Sequence, residues 1–298
     1  MNPFISRSFL LLIFLILVLS SPIFAENKEL QTKEVIVIFA TNQEDAAKEV
    51  AKVYTSVKSE LSENLRWEVN FRPTVFLDRG GKTIRENTGN DIFVAYADPQ
   101  RNLILLDTSR VYAKPFSLDS TLEHELCHLL IHRNIKNPPR WLDEGICQWV
   151  SGGISEFMAE DSKRELHNAG VSGGLIGIRE LNSFPPGNIA LAYEESKSII
   201  EFIESKFGKQ KILQILEHMK EGHSLDNSLQ KALFVTTSEL DEKWQAYVKM
   251  RRGWFSYLSR NLYEILFFIA AVVTTYAFMR MLKKKKENID ESGDEDAM

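Results

Sequence analysis

The body of this chain lacks any basic cluster with interleaved aromatic residues, and its net charge of −5 is mild. That combination speaks against a nucleic-acid partner. No internal repeat or low-complexity tract occurs, so neither a solenoid nor a biased disordered scaffold is indicated. Cysteine is scarce. Cys127 and Cys147 are the only two, which limits the chain to a single internal disulfide. What remains is 298 residues, 44% apolar and 26% charged, enough for a globular body of one or two domains.

Long apolar runs are confined to the two ends. Residues 1–25 read as a secretory signal: Arg7 precedes the apolar run 9–19, Ser20-Ser21-Pro22 breaks it, and Ala25 offers a cleavage site. The competing reading is an uncleaved N-terminal anchor. Residues 262–282 are apolar apart from Glu264 and Arg280, and about 20 residues suffice to cross a bilayer. Lys283-Lys284-Lys285-Lys286 follow, which by the positive-inside rule predicts a cytoplasmic tail at 283–298. Its acidic part, 287–298, is expected to be disordered. Trp254, Phe255, Tyr257 and Tyr263 form an interfacial aromatic belt. A buried core helix is the alternative, which the tetralysine disfavours.

Between the ends, Glu34–Phe39 (EVIVIF) reads as a buried strand and Glu44–Leu65 as an amphipathic helix with Ala47, Val50, Ala51, Tyr54, Val57 and Leu61 on one face. Strand candidates follow at 75–77, 92–96 and 103–106, punctuated by Gly, Asn, Asp and Pro. A helix is expected from Ser117 or Asp119 to about His132, and a second from about Arg140 to Val150, with Asn134 and Pro138-Pro139 between. Glycines at 152, 153, 170, 173, 174 and 177 mark an irregular middle. Helices are then predicted at 189–207, 211–220, 225–233 and 238–251, the last with a Thr236/Glu239 capping box.

The first of the central helices carries Leu122-Glu123-His124-Glu125-Leu126-Cys127-His128, an H-E-x-x-H motif. Four residues apart, His124 and His128 share a face and can reach one ion. Glu125, about 100° further round, is placed to hold a water as general base. A catalytic zinc needs a third protein ligand. Trp141-Leu142-Asp143-Glu144-Gly145 supplies Glu144 on a helix that can fold back beside the first.

H-E-L-C-H followed by W-L-D-E-G resembles the gluzincin superfamily, most closely the compact peptidase MA-like domains of bacteria. W-L-x-E-G is also similar to the wording of the aminopeptidase N relatives. The likeness extends through Leu181, Pro185-Pro186 and Ala192-Tyr193-Glu194-Glu195-Ser196 to Trp244. It implies a zinc held by His124, His128 and Glu144, with Glu125 as base and proton shuttle and Tyr193 stabilising the oxyanion. The G-x-M-x-N segment that binds a free amino terminus in the aminopeptidase N relatives is missing, so an aminopeptidase does not follow.

His132 continues the four-residue series but lies about 80° from His124 two turns on, so it reads as a helix-end histidine favoured by the dipole. Asn134 stands where metzincins place their third histidine. Asp143 reads as first-turn charge pointing away from the site. Gln148 is either a hydrogen-bond partner of a ligand histidine or a solvated glutamine. Cys127 and Cys147 border the faces that must meet. A disulfide between the two helices and a pair of buried thiols both remain open.

Together these readings predict an α+β, zincin-like (thermolysin-like) domain at 34–253. It would have an N-terminal sheet lobe (34–116), metal-binding helices (117–151) and a C-terminal helical lobe (152–253), followed by one transmembrane helix. The expected activity is that of a zinc metallopeptidase, one Zn²⁺ per chain, acting on peptide or protein substrates with 103–106 as the pairing edge. It would be anchored in membrane lipid with its domain outside the cytoplasm, a pattern that fits a bacterial inner membrane. The alternative is a zinc-binding but catalytically silent sensor of the same fold. A transport or structural subunit is a third reading, resting on the span alone.

Overall fold

The computed structural model describes residues 27–152, 166, 168–170, 172–185 and 187–295. The signal sequence expected at 1–25, Gly153, Pro186, residues 296–298 and the side chains of Trp254, Phe255 and Tyr257 lie outside this description.

The N-terminal half forms a five-stranded sheet from β1 (Asn27–Gln31), β2 (Ile36–Ala40), β3 (Thr74–Leu77), β4 (Ala95–Asp98) and β5 (Leu103–Leu106). Their spatial order is β1-β2-β3-β5-β4. The three central strands are parallel, and β1 and β4 close the edges antiparallel. Helix α1 (Glu44–Leu65) makes the crossover between β2 and β3 and buries Ala47, Val50, Tyr54, Val57 and Leu61 of the expected face; Ala51 is only partly buried, and Leu65 joins them at the end. Two elements of this half escaped the sequence reading. Strand β1 is polar and largely exposed, so it shows no apolar alternation. Helix α2 (Lys82–Thr88) is short and buries only Ile84, whose amide donates to Asp78 Oδ2 at 3.0 Å.

The sheet corrects two expectations. Strand β4 begins at Ala95 rather than residue 92, because the preceding backbone is engaged elsewhere. Asn90 Oδ1 accepts from the Ile92 amide (3.1 Å), and Arg110 donates to the carbonyls of Asp91 and Phe93. Arg110 is itself fixed on buried Asp107 at 2.6 Å. Burial alone would raise the Asp107 carboxyl, but bonds from Ser109, Arg110 and Gly80 hold it below its ordinary range. Strand β5 cannot be the pairing edge, since β3 and β4 occupy its two sides. The open edge beyond it belongs to β4. Val94 O accepts from Asp107 N at 2.8 Å. By antiparallel alternation, Tyr96 and Asp98 therefore bond inward, while the amides of Ala95 and Ala97 face outward.

Helix α3 (Leu118–Asn134) packs on α1 and β4, with Ser117 Oγ accepting from the Ser120 amide at its N-cap. Every residue from Thr121 to Ile131 is buried. A helix enclosed on all sides is covered by sheet on one flank and helices on the other, so this one forms the seam between the lobes. Helix α4 (Arg140–Val150) follows after five residues and lies against both α3 and α5 (Ile189–Phe207). The approach to α5 depends on Gly145: a Cβ there would come 2.5 Å from the Ser196 carbonyl and 2.7 Å from Ile200.

The helical lobe continues through α6 (Lys209–Lys220), α7 (Leu225–Leu233) and α8 (Thr237–Arg260). Trp244 is fully buried, its indole donating to Ser198 Oγ at 3.2 Å. Helix α9 (Leu262–Glu295) carries one segment, Leu262–Lys283, long and apolar enough to cross a membrane, and none of it is buried against the rest of the chain. The tail expected to be disordered continues this helix as far as Glu295. Once the apolar segment has nucleated a helix, lysine and glutamate extend it at one hydrogen bond per residue.

Candidate metal centre

Helices α3 and α4 bring His124, His128 and Glu144 together. Their ligand atoms lie within 4.8 Å of one another, and all three residues are buried. The two Nε2 atoms face each other at 3.1 Å, and Glu144 Oε2 lies 3.8 Å from His124 Nε2 and 3.6 Å from His128 Nε2. Donors each about 2.0–2.1 Å from a tetrahedral ion are separated by roughly 3.3 Å. Two imidazoles and a carboxylate at these spacings could hold a metal ion, and the donor set fits zinc.

Asp143 departs from its reading as outward first-turn charge. It is buried, and it lies between two histidines: Oδ1 is 3.0 Å from His128 Nδ1 and Oδ2 is 2.9 Å from His132 Nε2. Burial would push its carboxyl up, but the imidazoles of His128 and His132 outweigh that and hold it well below the ordinary carboxylate range. As acceptor from His128 Nδ1–H, it fixes the tautomer that leaves Nε2 as the donor toward a metal. His132, exposed at the helix end as expected, lines the cavity at this centre and also holds this carboxylate. Asp143→Asn is therefore expected to weaken metal binding about 10- to 100-fold, as loss of such a partner generally does. Competition against a chromophoric chelator would measure it.

The remaining candidates sit close by. Tyr193, on α5, is buried, and its hydroxyl donates to Glu144 Oε1 at 3.2 Å. Gln148 donates to the Tyr193 carbonyl at 3.1 Å, so its amide ties α4 to α5. The Asp143 carboxylate holds the ligand histidine instead. Glu125 is completely buried in the turn between the two histidines. Cys127 and Cys147 form a disulfide between α3 and α4, with Cα atoms 5.4 Å apart, which settles the two alternatives left open by the sequence.

A cavity of about 420 Å³ opens onto the centre. Its walls include His128, Asp143, Glu144 and Tyr193 from the helices and Phe93, Tyr96 and Ala97 from the β4 edge. His124 and Glu125 do not line it. A second group of donors, His218, Glu221 and His223, lies at the α6–α7 corner but differs in kind. It is not buried, and the Lys231 ammonium sits 2.6 Å from His223 Nε2, where a cation would have to bind.

A comparison with curated protein sequences gives no match. A family model described as the Peptidase MA superfamily matches residues 91–250, more than half the chain, from the loop before β4 through the buried metal helices and into α8. The chain belongs to the Peptidase MA superfamily.

Proposed function

We propose that this protein is a zinc metallopeptidase, anchored by 262–283, whose catalytic domain lies outside the cytoplasm. The observation that carries this reading is the convergence of His124, His128 and Glu144 in a chain of this superfamily. Zinc in such a site supplies Lewis acidity, which makes water a nucleophile near neutral pH and polarises a carbonyl. Glu125 takes the proton of the attacking water and passes it to the leaving amine. Its complete burial favours that role, because a carboxylate with little solvation is a stronger base toward a nearby proton. Tyr193, whose single O–H donates to Glu144 Oε1 at rest, turns it to the developing oxyanion as charge builds there. The outward amide of Ala97, which lines the cavity, pairs with an extended substrate.

The membrane part rests on sequence and on α9. The span ends in four lysines, which by the positive-inside rule supports a C-terminus inside and the domain outside. An oxidising compartment also agrees with the Cys127–Cys147 disulfide. Full-length protein in detergent should contain one zinc per chain and cleave members of a mixed peptide library. Removal of metal by a chelator should stop cleavage, and zinc should restore it. Protein that binds zinc yet cleaves nothing would favour the silent sensor, and protein that binds no metal would sink both readings.

A further inference from the structure

Arg140 opens α4 and shares a wall of the cavity with Glu144 and Tyr193. Four residues apart on one helix, Arg140 and Glu144 project from the same face, their Cβ atoms about 6 Å apart. The guanidinium stacks over the Phe184 ring, 4.1 Å from its centroid, and that ring meets Tyr193 edge-on with centroids 5.2 Å apart. Stacking on a ring face immobilises a guanidinium while leaving its N–H fork in the plane, directed outward.

The platform is held at a conformational cost. Phe184 has φ of 44°, in the left-handed region, and precedes Pro185, yet its side chain is buried. A bulky residue adopts that backbone only where its surroundings require it. Here the requirement is a ring set between the site tyrosine and an arginine.

The two nearby carboxylates are engaged elsewhere: Asp143 is held by two imidazoles within 3.0 Å, and Glu144 faces the metal position. Among the described residues no carboxylate pairs with Arg140, so its fork is left for a ligand. The positive end of α4 adds to the same preference.

We infer that Arg140 is a specificity residue that anchors a substrate carboxylate within about two extended residues, roughly 7 Å, of the bond to be cut. The carboxylate is either the peptide's own C-terminus or an aspartate or glutamate side chain. This inference rests on the peptidase reading above, but its binding step does not require turnover.

The test uses full-length, zinc-loaded Glu125→Gln protein and three probes: N-acetyl tetra-alanine as free acid, as C-terminal amide, and as the amide with its third alanine replaced by aspartate. Calorimetry should show the preferred acidic probe bound about 10- to 100-fold more tightly than the plain amide. Which of the two acidic probes is favoured identifies the source of the carboxylate. Arg140→Met should abolish that preference, and Arg140→Lys should restore part of it. In the Glu125-containing enzyme, the acid-to-amide ratio of kcat/KM should collapse with Arg140→Met, chiefly through KM. Equal binding of all three probes, no binding of any, or a preference that survives Arg140→Met would overturn the inference. A preference lost with Arg140 in a protein that cleaves nothing would uphold the carboxylate site and reject the peptidase reading.

Discussion

Glu125→Gln should abolish peptide cleavage, lowering kcat by about 10²- to 10⁴-fold, the range a positioned general base contributes. The substitution preserves shape and keeps a hydrogen-bonding amide, so a completely buried position is not emptied. None of the three proposed donors is touched, because His124, His128 and Glu144 make up the set alone. Zinc content should therefore stay at one per chain. An interaction needed only as the proton moves should also leave KM almost unchanged while kcat falls. If metal is lost together with activity, Glu125 is acting structurally. If activity survives, the proton is handled by another group.

The proposed metal ligands are legible in the sequence because the spacing of the histidines is local. His124 and His128 are joined by one helical turn, and Ser117 and Pro139 bracket the helices in the sequence itself. The family wording then pointed to Glu144. Asp143 was not legible, since its direction was judged from the turn of its own helix. Its partner, His128, belongs to α3, and their contact depends on how closely two buried helices cross. His132 stands at the helix end and exposed, as expected; only its contact with Asp143 needed the packed pair of helices.

Strand order posed a different difficulty. Leu103–Leu106 stands just before the motif helix in sequence, and so looked like the substrate edge. In space β5 enters between β3 and β4, which exchanges the edge for a strand that precedes it in the chain. Chain order carries no record of that insertion. Polar β1 was invisible because an exposed edge strand needs no apolar face.

Replacing both Cys127 and Cys147 by alanine should cost about 3 kcal/mol of stability, as expected for releasing a loop of 20 residues from the unfolded chain. For a body of this size that corresponds to a fall in Tm of roughly 6–12 °C. Alanine is the better probe, since serine would leave a hydroxyl where both sulfurs are fully buried. Metal affinity should change by less than about threefold, because this cross-link acts mainly on the unfolded state. In the folded state α4 has other restraints: Gly145 against the Ser196 carbonyl, Gln148 on the Tyr193 carbonyl, and Trp141 fully buried. Asp143→Asn should behave in the opposite way, weakening the metal site while Tm moves little. Calorimetric unfolding paired with chelator competition on both variants would separate the two effects. A double-alanine variant that loses metal affinity in step with stability would mean that the disulfide, and not the packing of α4 on α5, sets the distance between the histidines and Glu144.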